Sequence, residues 1–395
     1  MCNPLEITDV YRYNKEDGTL DELGIAPIRD GFSNLFFPGT STIQTRAKYF
    51  LIVPYALKEL ELSSETNPNR LLKALDELER ACGETFLEQN KDENGIIGKR
   101  SLQNGKWVKR SPADIYWAGL RKYGIFTGGN ISLTEYVRAS CVLKNKKATL
   151  KSLGNRNDNA EENESDDKNA GNLFKMQFWK MPLYNENWFE SLSMPLTEVE
   201  GSFLKDQIIH NCPDTLISYI LENNIVEILD CESFFELGEL MPNFPEYIQE
   251  DYALALAFSD FMYVVRTLYN IIISDGNNLF ASEEFERLKE EMTDRANIDI
   301  DHILLKLGVI KTDLKNFLKQ IQACMIEKDI EGMKKHIKAR EILLKGANRA
   351  KTAHPGEFNP DAWIGGAELD YRFNNAKTII RDIFESEGKV NAKSE

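Results

Sequence analysis

Between Leu23 and Phe50 the chain runs Leu-Gly-Ile-Ala-Pro-Ile-Arg-Asp-Gly-Phe-Ser-Asn-Leu-Phe-Phe-Pro-Gly-Thr-Ser-Thr-Ile-Gln-Thr-Arg-Ala-Lys-Tyr-Phe. No other stretch constrains the fold as strongly. Its apolar and aromatic residues are dense enough to demand burial, yet Arg29, Asp30, Gln44, Thr45, Arg46 and Lys48 are threaded among them. Polar and charged groups are costly to bury unless hydrogen-bonded or paired. The fold must therefore either supply partners to this block from elsewhere in the chain or expose it as one wall of a binding surface. Arg29, Asp30, Gln44 and Arg46 are expected to be largely buried and bonded to one another or to backbone.

Three further stretches accompany this block: Ser111-Pro112 with Ile115-Tyr116-Trp117-Ala118-Gly119-Leu120, then Leu344-Lys345-Gly346-Ala347, and Leu369-Asp370-Tyr371-Arg372. Together they resemble a bacterial family of unknown function, DUF6361. Asn34 and Lys48 stand where the family pattern has Asp and Arg, and Phe373 where it has Trp. The resemblance implies a cytoplasmic protein encoded near helicases and methylases of phage-defence loci. It brings no catalytic residues. On the residues themselves, Arg29, Asp30, Gln44, Thr45 and Arg46 read as a structural motif, with Asp370 and Arg372 as structural ion-pair partners.

The 395 residues, 42% apolar, suffice for two domains with sizeable cores. No uninterrupted apolar run reaches the ~18 residues of a membrane span. The opening Met1–Glu6 carries no charged-then-apolar leader, so secretion is not expected. Six scattered cysteines without paired spacing read as reduced thiols, and no Cys-x-x-Cys zinc site is present. These features predict a cytoplasmic location with no membrane contact.

The formal charge of −15 argues against uniform nucleic-acid coating, but it is unevenly spread. From Gly95 to Lys151 twelve basic residues face two acidic ones, a net of +10, and from Lys334 to Lys351 seven face one, a net of +6. The remainder carries −31.

Helical patterns dominate on both sides of an acidic, Asn-rich segment at 152–171, which holds almost nothing that can bury. The expected architecture is mainly α, with few or no strands. An N-terminal helical domain with a basic face (1–151) and a C-terminal helical domain (172–395) are joined by a flexible linker (152–171). Within it, Thr40, Ser41 or Thr42 caps a helix through Leu51 that Pro54 kinks or ends. Leu71, Leu72, Leu75, Leu78 and Cys82 repeat at helical spacing. Ser111-Pro112 opens a helix and Gly124 closes it. Thr197 and Glu200 form a capping box. Helices are also expected over 254–273, 304–326 and 333–344. Lys106-Trp107-Val108 is the one strand candidate.

The best binding candidate is the basic segment carrying Lys99, Arg100, Lys106, Lys109, Arg110, Arg121 and Lys122, with Tyr116, Trp117 and Tyr123 interleaved. Cations meet phosphates, and aromatics either stack on bases or pack a core. The core reading is favoured for Tyr116 and Trp117. Gly95-Ile96-Ile97-Gly98-Lys99-Arg100 lacks both the spacing and the Ser or Thr of a phosphate loop. Arg349 and His354 match the Arg-x4-His spacing of helical ribonucleases of the HEPN type, which need both on one helix face. No metal set and no cofactor motif is evident. The expected function is therefore a non-enzymatic accessory subunit of an anti-phage defence system. It would contact DNA or RNA through the basic N-terminal surface, and a helicase or methylase through the acidic C-terminal domain. The alternatives are a metal-independent ribonuclease using Arg349 and His354, and an adaptor that binds protein only.

Overall fold

The computed structural model describes residues 21–154, 178–182, 184–357, 359, 363–364 and 368–390. In chain order the α-helices are α1 (Ala26–Phe36), α2 (Tyr49–Leu62), α3 (Pro68–Gln89), α4 (Lys99–Gln103), α5 (Pro112–Lys122), α6 (Leu133–Gly154), α7 (Glu198–Asn211), α8 (Leu216–Asn223), α9 (Glu246–Ile273), α10 (Leu279–Arg295), α11 (Ile300–Lys306), α12 (Thr312–Glu327), α13 (Ile330–Lys345) and α14 (Phe373–Ser386). Among the described residues no strand forms, and one isolated antiparallel bridge joins Phe126 to Trp179. The chain is mainly α. The expected strand at Lys106–Val108 has no regular secondary structure.

Two compact units gather residues from both sides of 152–171. One takes the chain up to Leu35 together with Ser233–Tyr371, and the other takes Phe36–Glu232 with Arg372 onward. Of the segment read as a linker, residues 155–171 lie outside the described residues, and 152–154 end α6.

The unit of 233–371 is built on α9. Its 28 residues span ~42 Å at 1.5 Å per residue. By length and composition α9 could cross a bilayer, but 72% of its most apolar window is buried here against the neighbouring helices, chiefly α10 and α13. Phe32, Phe234, Phe258 and Tyr371 meet edge-on or tilted around it, and the Tyr371 hydroxyl donates to Ala255 O at 2.7 Å. The helix expected over 304–326 is two helices, α11 and α12. Gly308, at φ +64°, lies in the break, a conformation that interrupts helical hydrogen bonding and that glycine adopts without strain.

The other unit is built on α2, whose residues Tyr49 to Leu57 are all buried. Two expectations fail here. The helix read from Thr40 begins only at Tyr49, because the backbone donors of Thr45, Arg46 and Ala47 bond to side chains distant in sequence instead of to preceding carbonyls. Pro54 neither ends nor breaks α2. It forfeits one backbone hydrogen bond, and the helix persists because burial on all sides outweighs that loss. Elsewhere the local signals hold. Asn67 caps α3 and Pro68 opens it, with Leu71, Leu75, Cys82 and Phe86 buried along one stripe. Ser111 caps α5, and Thr197 with Glu200 forms a complete capping box on α7. α5 crosses α2 at Gly119, where a Cβ would stand 2.5 Å from Gly39 O and 2.7 Å from the Phe50 ring. Only glycine permits that approach, which is the physical content of the Trp-Ala-Gly-Leu stretch.

Candidate nucleic-acid interface and the polar knot beside it

The block from Gly39 to Tyr49 has no regular secondary structure before α2, and its polar groups are answered one by one within the same unit. Gln44, 2% exposed, accepts from Ser41 N at 3.1 Å and donates to Gly39 O at 3.1 Å. Thr45 donates through its hydroxyl to Gly95 O at 2.6 Å. The Tyr116 hydroxyl accepts from Thr45 N and Arg46 N and donates to Arg46 O at 2.8 Å. The Arg46 guanidinium donates to both oxygens of Asp382 at 2.9 and 3.1 Å, and to Glu93 and Asn94 O. Asp382 also accepts from Ala47 N at 2.7 Å. Lys48, 4% exposed, donates to both oxygens of Glu200 at 2.9 and 2.7 Å. The Asn375 amide donates to Gln44 O at 2.8 Å, and Arg372 to Thr40 O at 2.9 Å. Five separated segments are tied at one knot.

Arg29 and Asp30 behave differently from Gln44 and Arg46. They pair with each other at 3.2 Å, but their side chains are 30% and 41% exposed, so the expected burial does not hold for them. They lie on α1, whose opposite face carries the buried Ile28 and Phe32.

The basic segment lies in the same unit, on and around α4 and α5. Gly98, at φ +76°, turns the chain into α4, and the Trp107 indole donates to Asp76 on α3 at 2.6 Å, anchoring the stretch between the two helices. Arg100, Lys106, Lys109, Arg110 and Lys122 are exposed, and none of them forms an ion pair with a described residue. Lys99 is half-buried and donates to Glu93 O at 2.9 Å. Arg121 is half-buried as well, with a Nε that is enclosed and has no partner among the described residues. Lys109 and Arg110 precede the first turn of α5, whereas Arg121 and Lys122 end it, roughly 16 Å along an eleven-residue helix. The basic set therefore comprises one group around Lys99–Arg110 and a second at the helix C-terminus. Cations at that end also complement the helix dipole.

Tyr116, Trp117 and Tyr123 are not available for stacking on bases. They are 0%, 7% and 0% exposed, with Tyr116 and Tyr123 against Phe50 and Trp117 against Phe126. Beneath the start of α5 lies Glu79, 1% exposed, which accepts from Ala113 N at 2.7 Å. Burial pushes its carboxyl up to about 8, and hydrogen bonds from Ser111 and Ala113 oppose that shift only in part. Sequence patterning misses Glu79, since it occupies a position on α3 between the apolar Leu75 and Cys82.

The second basic stretch, Lys334 to Lys351, is largely neutralised within its own unit. Lys334 pairs with Glu331, Arg340 with Asp313, Lys345 with Glu22 and Glu341, and Lys351 with Glu22. Arg349 and His354 do not share a helix face. α13 ends at Lys345, a short 3-10 turn occupies Lys351–Ala353, Arg349 donates to Lys345 O at 2.9 Å, and the His354 ring lies 3.2 Å from Ala347 O. Among the described residues no group of three His, Cys, Asp or Glu side chains is placed to hold a metal ion.

No curated protein and no solved structure matches the chain. The sequence profile of a family of unknown function, DUF6361, matches residues 7–158, which hold the knot's central block and the whole basic segment, and over that span the chain is similar to this family.

Proposed function

We propose that the protein is a non-enzymatic nucleic-acid-contacting subunit that binds DNA or RNA through the backbone phosphates. The observation that carries this reading is the state of the cations between Lys99 and Lys122. Five are exposed and form no ion pair with a described residue, while most basic residues of the 334–351 stretch are held by acidic partners. Leaving like charges together on a surface without counter-charges is unfavourable, and phosphates relieve it by displacing condensed counterions. With Tyr116, Trp117 and Tyr123 buried, none of the three can stack on bases, and the phosphate contacts that the cations supply carry no sequence information. In this reading the protein is cytoplasmic and works beside a helicase or methylase in anti-phage defence, as the family resemblance suggests. The acidic remainder of the chain meets the protein partner.

The test is binding of a generic duplex and a single strand by the full-length chain at low salt, measured by fluorescence anisotropy. Binding is expected to weaken steeply with salt, by a logarithmic slope of about −0.9 per phosphate contact on duplex DNA. The variant with Arg100, Lys106, Lys109 and Arg110 all changed to Glu is expected to lose it while melting like the wild type. A wild-type chain that binds neither nucleic acid at low salt would leave an adaptor that binds protein only.

A further inference from the structure

Beside the knot, a cleft of about 200 Å³ opens at the first turn of α7. Its floor is the Lys48–Glu200 ion pair, with side chains only 5% and 9% exposed. The rings of Tyr55 and Trp188 line it and pack on each other as one aromatic wall, with centroids 5.7 Å apart and planes inclined at 40°. Trp188 is fixed in place by its indole N–H, which donates to Glu59 at 3.0 Å. Val199, 67% exposed, stands at the rim.

The hydrogen-bonding capacity left over on this floor defines what can occupy it. Of the three Lys48 ammonium hydrogens, two are used by the oxygens of Glu200. Glu200 Oε2 accepts from Lys48 and from Thr197 N at 2.8 Å, whereas among the described residues Oε1 accepts from Lys48 alone. One donor and one acceptor therefore remain side by side. The Tyr55 side chain is 8% exposed, lines the cleft, and its hydroxyl has no hydrogen-bond partner among the described residues. Burial first, and then the negative charge of Glu200, hold that hydroxyl far above its ordinary titration range, so it remains a donor throughout the physiological range.

We propose that this cleft binds a neutral, planar ring with an amide-like edge, the chemistry shared by nucleobases and nicotinamide. The ion pair is already balanced, so a charged ligand would be desolvated without compensation. The aromatic wall offers a flat ligand a face to pack against. The paired donor and acceptor match an adjacent acceptor and donor on such a ring. A cleft of this size lies below the ~300–1,000 Å³ of drug-sized and cofactor sites, which restricts the occupant to a single ring system. The proposal is independent of phosphate binding by the basic segment and uses none of its residues.

The experiment is ligand-observed NMR and calorimetry on the full-length chain with adenosine, cytidine, uridine and nicotinamide, each up to millimolar concentration. At least one is expected to bind, and the order among them identifies the preferred ring. Tyr55→Phe removes only the unpaired hydroxyl and is expected to weaken binding about fivefold, the effect of one hydrogen bond. Val199→Trp fills the mouth from an exposed position without touching the ion pair, and is expected to abolish binding with an unchanged melting temperature. No binding by any of the four would overturn the proposal, as would equal binding by wild type and both variants. Displacement of the bound ring by acetate or inorganic phosphate would overturn it too, since the cleft would then be an anion site.

Discussion

Two groups of cations in one compact unit meet opposite fates. Arg46 and Lys48 are enclosed, and every one of their carboxylate partners comes from a distant segment: Glu93, Glu200 and Asp382. Arg100, Lys106, Lys109 and Arg110 are exposed and have none among the described residues. Side-chain chemistry is the same in both groups, so residue type alone cannot tell a structural cation from one available to a ligand. The discriminator is whether the chain brings an acidic partner to it. A buried charge without a partner is strongly destabilising, which explains why the first group is fully satisfied. A single exposed charge without a partner costs little, so the second group is tolerated on the surface despite its mutual repulsion and stays free to serve a phosphate.

The sharpest way to break this comparison is to remove a partner from the buried group. Asp382 closes the loop between Arg46 and the Ala47 backbone and is 5% exposed. Asp382→Ala leaves a guanidinium half-paired in the interior and is expected to cost about 3–5 kcal/mol in chemical denaturation. Asp382→Asn retains an acceptor and is expected to cost less. A denaturation midpoint unchanged in Asp382→Ala would show that the knot is not what holds this unit together.

Next in size is the Lys48–Glu200 pair. Lys48→Met strands Glu200 in the interior and is expected to cost about 3 kcal/mol. The double variant Lys48→Met with Glu200→Met removes both charges, and most of that loss is expected to return, less about 1 kcal/mol for the capping box on α7. If the double variant is as unstable as the single one, the pair contributes more than mutual compensation.

Glu79 joins the two groups, because it lies on α3 beneath the start of the basic helix. Its carboxyl titrates near 8 in the folded chain, against ~4.3 for an unperturbed glutamate. Between those values the folded chain carries a proton that the unfolded chain has released. Stability is therefore expected to fall as pH rises from about 4.3 to 8, by up to ~1.4 kcal/mol per pH unit, and to level off above. Glu79→Gln keeps a neutral acceptor for Ala113 N and is expected to flatten this dependence. Urea denaturation at pH 5.5, 6.5 and 7.5 separates the two cases, and an identical slope in both proteins would reassign the proton.

The sequence exposes what is local and hides what is long-range. The caps at Ser111 and Thr197, the stripe through Leu71, Leu75 and Cys82, and the all-α class are legible because their determinants lie within a few residues of one another. That the block around Arg46 needs partners is legible too, from the cost of burying its charges. Which partners it finds is not, since Asp382 lies 336 residues away and Glu200 152 residues from Lys48. The same blindness affects the candidate interface. Net charge along the sequence marks both 95–151 and 334–351 as basic, yet only the three-dimensional pairing with Glu22, Asp313 and Glu341 separates a neutralised stretch from an open one. Spacing misleads at Arg349 and His354 because the helix on which that spacing would matter stops at Lys345.

The smallest expected effect sharpens the other side of the comparison. Lys106 is exposed, makes no ion pair with a described residue, and sits in the turn after α4, where its backbone N–H bonds to Ser101 O at 2.8 Å. Truncating its side chain leaves that turn untouched. Lys106→Ala is therefore expected to change stability by less than ~0.5 kcal/mol, as for a surface site with no special contact. If Lys106 meets one phosphate, the same change lowers the salt slope of duplex binding by about 0.9 and weakens binding to all sequences alike. Arg121→Ala serves as the contrast, because its Nε is enclosed and its stem is half-buried. Its loss is expected to register in stability through packing before it registers in the salt slope. A Lys106→Ala variant that destabilises the fold but leaves the salt slope intact would place Lys106 with Arg46 and Lys48, and the distinction between paired and open cations would no longer separate structure from binding.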